Sequence, residues 1–368
     1  MSLTLSNYSK PGNLAPLLLN ALMSGAVRAL VDAVGSDEAF KRLDPYIRIN
    51  AKWCAQNFPA ISRVRPYGCE GAAGTILFAV YMSNRGNPNA KASSAQADIV
   101  HPDCRTNGQF PFYCEWWCRK ELCLILKETT PSVTITQIAS MDKGDQACHW
   151  HIVEKEEPTS HTAPLNDLPL PVTPTEELDF MCQAGPGEFW NNATATTVDL
   201  LGEERAARLL NMQARRIGEE YGIACLRLDE AEIGSTTLES AFHRLDAIWG
   251  RRAEWKAKDE NSLTREIHDC PFASTAASVC GQLEAFWNGV CDVVAPGWSA
   301  SYASRRDQGA KSCIMILQRD QTAPGNRKEG KSARHGGEDP LTIIRLRYAR
   351  GEITKAEYLE QKEVLSDK

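Results

Sequence analysis

Four cysteines stand in two similar settings. Cys104 and Cys114 follow Asp103, with His101 nearby; Cys270 and Cys280 follow Asp269, with His268 nearby. A thiolate becomes a strong nucleophile when a cationic or hydrogen-bonding neighbour lowers its pKa. These four residues are therefore candidates for hydrolytic chemistry, with His101 and His268 as candidate substrate-binding groups. Glu115 and Glu284, close to the second cysteine of each set, could serve as acid/base or binding groups. Free cysteine is also among the most buried residue types, so the same thiols serve equally as small core hydrophobes.

Sulfur is plentiful enough for a metal. Cys114, Cys118 and Cys123, with Cys104 and Cys148, could supply zinc ligands, but their spacings are Cys-x3-Cys and Cys-x4-Cys rather than paired Cys-x2-Cys. The sequence requires no cofactor, and zinc stays open. His149 and His151 flank Trp150, and strand alternation would put both histidines on one face and the indole on the other. Such a pair can line a ligand site. Trp116 and Trp117 are candidates for the wall of an apolar pocket and equally for core packing.

The elements that hold these residues recur. Asp32-Ala-Val-Gly35 and Asp199-Leu-Leu-Gly202 lie 167 residues apart. Asp103, Cys104 and Cys114 match Asp269, Cys270 and Cys280 at an offset of 166, and Pro131, Asp142, Gly144 and Cys148 match Pro296, Asp307, Gly309 and Cys313 at 165. Several features in one order at one spacing predict a duplicated unit. Each copy opens with a helix; in the second, Val198, Leu201, Leu209, Met212, Ile217 and Tyr221 recur at helical spacing. A further helical stretch carries the second cysteine. Each copy then closes with a hairpin: Val133–Ile138 and Ala147–Val153 around Gly144, and Trp298–Arg305 and Cys313–Leu317 around Gly309. The histidine pair has Ile314 and Ile316 as its counterparts, so it is not part of the shared scaffold.

Five prolines between Pro158 and Pro174 predict a linker over 156–177, and a stretch rich in Gly, Lys and Arg predicts another over 319–337. In the tail, Asp339-Pro340 opens a helix that stops at Gly351, and Thr354 caps a second with Glu357 completing a capping box. The run Asp339 to Tyr358 resembles the SHOCT domain. That resemblance implies an oligomerisation or docking module, because so short a hairpin holds little core of its own.

The repeat itself resembles the L-2-amino-thiazoline-4-carboxylic acid hydrolase family, related to the 4-vinyl reductase domains. The resemblance rests on Gly202-Glu203-Glu204-Arg205-Ala206, Asp269-Cys270-Pro271, a second cysteine ten residues on, and Gly144-Asp145-Gln146-Ala147-Cys148. It departs at Cys104-Arg105 in the first copy and Gly309-Ala310-Lys311-Ser312-Cys313 in the second. It implies a hydrolase-like enzyme acting on a cyclic C–N bond in a small organic substrate. The degenerate motifs support an alternative, a non-catalytic small-ligand-binding or sensory protein assembled through its tail.

Composition narrows the remaining classes. The net charge of −6 is spread along 368 residues, which gives the main body no electrostatic case for nucleic acid. The uncharged stretch Pro11–Val27 is interrupted by polar residues and reads as an amphipathic helix rather than a membrane span. Thirteen cysteines without a signal-peptide pattern read as reduced thiols in a cytoplasm. The expected fold is α+β: a first repeat at 1–155, a second at 178–318, each with helices on a small antiparallel sheet, and a helical hairpin at 338–368.

Overall fold

The computed structural model describes residues 14–62, 67–82, 88–104, 113–155, 165–168, 175–229, 234–249, 252–270, 277–320 and Tyr358. The proline-rich segment 158–164, most of the second linker and the SHOCT-like tail apart from Tyr358 lie outside them. The described part is α+β, with eight α-helices and two antiparallel sheets.

The first half runs α1 (Leu14–Val34), α2 (Ser36–Ser62), α3 (Gly68–Met82), β1 (Asn89–Ala92) and β2 (Gln96–His101). It continues with a π-helical turn (Tyr113–Cys118), α4 (Arg119–Thr129), β3 (Val133–Ala139), a 3-10 turn (Met141–Lys143), β4 (Cys148–Glu154) and the two-residue β5 (Asn166–Asp167). The second half runs α5 (Thr175–Leu201), α6 (Glu203–Asp229), α7 (Ser235–Trp249), β6 (Ala253–Lys258), β7 (Ser262–Ile267), α8 (Ala277–Val294), β8 (Trp298–Ser304), a 3-10 turn (Arg306–Gln308) and β9 (Cys313–Arg319).

The sheets share a strand order. It is β3-β4-β2-β1-β5 in one and β8-β9-β7-β6 in the other. Their registers also agree: His101 pairs with Cys148 and Ile267 with Cys313, and both hairpins slip by one residue at the same place, between Gln137 and Ala139 and between Tyr302 and Ser304. The described residues divide into two compact units, Pro16–Thr196 and a second made of the residues from Thr197 onward together with those before Pro16, the main division falling inside α5.

Local chemistry explains the element ends. Gly35 and Gly202 take φ of 84° and 75°, the left-handed conformation that ends a helix at low cost only for glycine. The N–H of Gly35 bonds the Val31 carbonyl, and its own carbonyl accepts from Ala39, so one residue closes α1 and opens α2; Gly202 does the same between Val198 and Ala206. The continuous helix expected from Val198 to Tyr221 is thus two helices. Met212, expected on its apolar side, is 56% exposed, and the buried stripe of α6 is instead Ala206, Leu210, Ala214, Ile217 and Tyr221. The stretch expected to be an amphipathic helix is helical from Leu14 but buried on all sides over 18–27. Among the described residues no helix is long and apolar enough to cross a membrane.

Aromatic packing fixes each core. In the first unit Trp117 meets Phe189 edge-on at 3.9 Å and Phe40 stacks on Trp116 at 4.2 Å. In the second, Phe242 stacks on Trp287 at 3.5 Å. There α6 and α8 also touch backbone to backbone: a Cβ on Gly218 would sit 1.9 Å from the Phe286 carbonyl oxygen, and one on Gly289 would sit 1.9 Å from that of Arg215.

Candidate functional site

In each unit the hairpin turn, the start of the following strand and the helix beginning near the second cysteine deliver the same set of groups. The 3-10 turn brings Asp142 or Asp307. The returning strand opens with Cys148 or Cys313, whose sulfur accepts the N–H of Met141 at 3.4 Å or of Arg306 at 3.3 Å. Cys114 opens the π-helical turn that leads into α4, and Cys280 lies in the first turn of α8; both are buried. Cys104 and Cys270 follow β2 and β7 and are half-buried. Cys114 interacts electrostatically with Cys118, Cys104, Asp142 and Cys148, and Cys280 with Asp307, Arg305 and Cys270. The structure therefore gathers all four sequence-predicted cysteines into two equivalent clusters.

The second cluster is a closed ionic arrangement. Arg305 holds Asp307 from two nitrogens, Nε to Oδ1 at 3.0 Å and Nη2 to Oδ2, and the Asp307 side chain is only 3% exposed. Arg305 is the chief cause keeping the Asp307 carboxyl below its ordinary range, against the opposing effect of burial. The Cys280 thiol hydrogen-bonds Asp307. Burial first, and the Asp307 charge second, push that thiol up to about 12, with Arg305 offsetting only part. At neutral pH Cys280 is a protonated donor to a carboxylate. Glu284 Oε2 accepts the N–H of Tyr302 at 3.3 Å, which ties α8 to β8.

The first cluster substitutes a hydroxyl for the guanidinium. Ser140, counterpart of Arg305, donates its hydroxyl to Asp142, and Cys118 stands at the position of Glu284. Burial, then the neighbouring thiols and Asp142, raise the Cys114 thiol, and burial likewise raises Cys148.

The two histidines expected beside the cysteines are not equivalent. His101 points inward from β2, 1% exposed, with Nε2 3.7 Å from Asp103 and its ring 6.3 Å from that of Trp150. Its register counterpart is Ile267. His268, one residue later, lies 4.0 Å from Glu254 and 3.8 Å from Glu266. Asp269 bonds Arg252 at 2.6 Å, and that bond is the main cause lowering its carboxyl.

His149 and His151 share the half-exposed face of β4, as alternation requires, and both contact Asp98 Oδ1, at 3.1 and 3.0 Å. Partial burial works against the Asp98 carboxylate, yet these two bonds carry its pKa below the ordinary value. Trp116 is half-buried against Phe40, and Trp117 is buried with its indole N–H on Glu121 Oε2 at 3.1 Å. The Glu115 side chain lies outside the described residues. Among the described residues no three His, Cys, Asp or Glu side chains converge as a metal site.

No protein-family model, curated protein or solved structure matches the chain.

Two features escaped sequence reasoning. Arg305 carries no mark beyond lying two residues before the recurring Asp307. Arg265 lies inward on β7, 1% exposed, paired with Asp246 and set over the rings of Phe242 at 4.9 Å and Trp255 at 5.4 Å. Burial lowers it to about 10. Its signal was available: Leu263, Arg265 and Ile267 alternate onto one face.

Proposed function

We propose that this chain is a tandem protein that binds a small organic ligand, with the recurring thiols serving as structural and pocket groups rather than as nucleophiles. The observation that carries this reading is the state of the equivalent thiols Cys114 and Cys280. Both are buried and raised, and Cys280 donates to a carboxylate already held by Arg305. A nucleophilic cysteine needs the opposite environment, one that stabilises its thiolate.

The second reading is hydrolysis of a cyclic C–N bond, as the family resemblance implies, with Cys104 or Cys270 as the attacking sulfur. It is favoured by the half-exposure of both residues beside the buried set. Assaying purified protein against ring-amide and thiazoline substrates, before and after thiol alkylation, with ligand binding measured in parallel, separates the two. Binding without turnover supports the first reading; turnover abolished by Cys104→Ala or Cys270→Ala replaces it.

The SHOCT-like tail is proposed to assemble copies of the chain, and deletion of 338–368 should then lower the mass seen by light scattering. A reduced cytoplasmic setting is in keeping with the free thiols of the twelve cysteines whose side chains are described.

A further inference from the structure

Between α4 and the edge strand β3 of the first unit lies a cleft of about 160 Å³, lined by Arg119, Cys123, Ile135, Thr136, Gln137 and Trp150. It contains none of the recurring thiols. Its lining has a guanidinium, an amide and an indole, and no carboxylate. Trp150 is 3% exposed, and its indole N–H has no hydrogen-bond acceptor. A buried donor left unmet is uncommon in folded proteins and costly to keep. Arg119, one helical turn before Cys123, has no carboxylate partner among the described residues.

The scaffold does not demand these groups. The cross-strand pair Gln137 and Trp150 occupies the register position of Tyr302 and Met315 in the second unit. Arg119 and Cys123 have Ala285 and Gly289 as counterparts, and the Gly289 position there is filled by the backbone of α6. At this position the first unit therefore places a cation, an unmet N–H donor and open volume together.

We propose that this cleft binds small organic monocarboxylates, the carboxylate lying between the Arg119 guanidinium and the Trp150 indole N–H and a short apolar body resting against Ile135. The inference rests on the ligand-binding reading and names its ligand class. Both donors complement an oxyanion, and the guanidinium makes the contact charge-assisted. The volume is below the roughly 300–1,000 Å³ of drug-sized sites, which restricts the ligand to the size range of propionate to benzoate.

The test is calorimetric titration of the full chain with propionate, benzoate, the neutral isostere benzamide and inorganic phosphate. The expected result is carboxylate binding, with benzamide at least about tenfold weaker and phosphate weaker than benzoate. Arg119→Gln should weaken benzoate about tenfold and Trp150→Phe about fivefold, with far-UV circular dichroism unchanged. Saturating benzoate should also slow alkylation of Cys123 in the unmodified chain, a readout that needs no variant to fold. Equal affinity for benzamide, tighter phosphate binding, no carboxylate binding, no protection of Cys123, or indifference to both substitutions would overturn the assignment. A neutral ligand that binds elsewhere overturns the cleft and leaves the binding reading standing. Carboxylate binding accompanied by turnover of a cyclic substrate keeps the cleft and removes the binding-only reading.

Discussion

Cys280 offers a direct measure of the closed ionic cluster. At pH 8 a thiol of ordinary pKa 9.0 is about 9% thiolate, whereas one pushed up to about 12 is thiolate in about one molecule in ten thousand. Protonation alone therefore slows exchange with a small disulfide about a thousandfold. The rarer thiolate is intrinsically more reactive, by about twentyfold for a three-unit rise at a Brønsted coefficient near 0.4–0.5. Protonation wins, and the net slowing is about fiftyfold before burial shields the sulfur. Asp307→Asn removes the neighbouring charge and leaves the Arg305 cation beside the thiol, so the pKa must fall and exchange must quicken. The assay is a timed pulse of a small aromatic disulfide at pH 8, read by mass spectrometry on the Cys280 peptide, with the urea-unfolded chain as reference. Native Cys280 reacting as fast as in urea would refute the reasoning. So would an Asp307→Asn protein of unchanged circular dichroism whose Cys280 reacts no faster than before.

Three other outcomes are expected. Asp246→Ala strands the buried Arg265 and should cost about 3–5 kcal/mol in urea unfolding, while combining Asp246→Leu with Arg265→Met removes both charges together and restores most of it. Gly218→Ala drives a Cβ into the Phe286 carbonyl and should cost about 1–3 kcal/mol by parting α6 from α8, whereas Gly281→Ala, with its nearest neighbour at 3.8 Å, should lie within about 0.5 kcal/mol. The carboxyls of Asp98 and Asp307 are lower in the folded than in the unfolded chain. Their stabilisation is fully present above the unfolded value near 3.9 and is lost as pH falls through the folded values. Urea midpoints measured from pH 7 to pH 3 should therefore separate wild type from Asp307→Asn, whose partner Arg305 keeps its charge throughout, by a constant amount above about pH 5 and converge below it.

Much of the scaffold was readable because the recurring residues are those that fix backbone geometry. Gly144 and Gly309 close the hairpin turns with φ of 95° and 89°, and Cys148 and Cys313 bond those turns through sulfur. These roles depend on near neighbours, so spacing alone exposed them. What spacing concealed depends on distant partners. The bond from Cys280 to Asp307 joins residues 27 positions apart on different elements. His101 and His268 read as equivalents, yet one position separates their registers, and in a strand that moves a side chain to the other face. The periodicity across Gly202 suggested one helix because a count of apolar positions does not register a left-handed residue that redirects the axis. The cleft beside α4 was invisible for a related reason: Arg119 and Trp150 are 31 residues apart, and neither has a marked counterpart in the second half.

The glycine contact between α6 and α8 locks one seam of the second half. Where carbonyl oxygens press on bare Cα atoms, one helix cannot slide along the other without first lifting clear of it, so amide hydrogens along that seam should exchange with solvent only when the whole unit opens. The positions matching Gly218, Gly222 and Gly289 in the first half are Ala51, Ala55 and Cys123; the two alanines are buried, and Cys123 is exposed at the cleft beside β3. With Cβ atoms at all three positions, the first half has no such backbone-to-backbone interlock there.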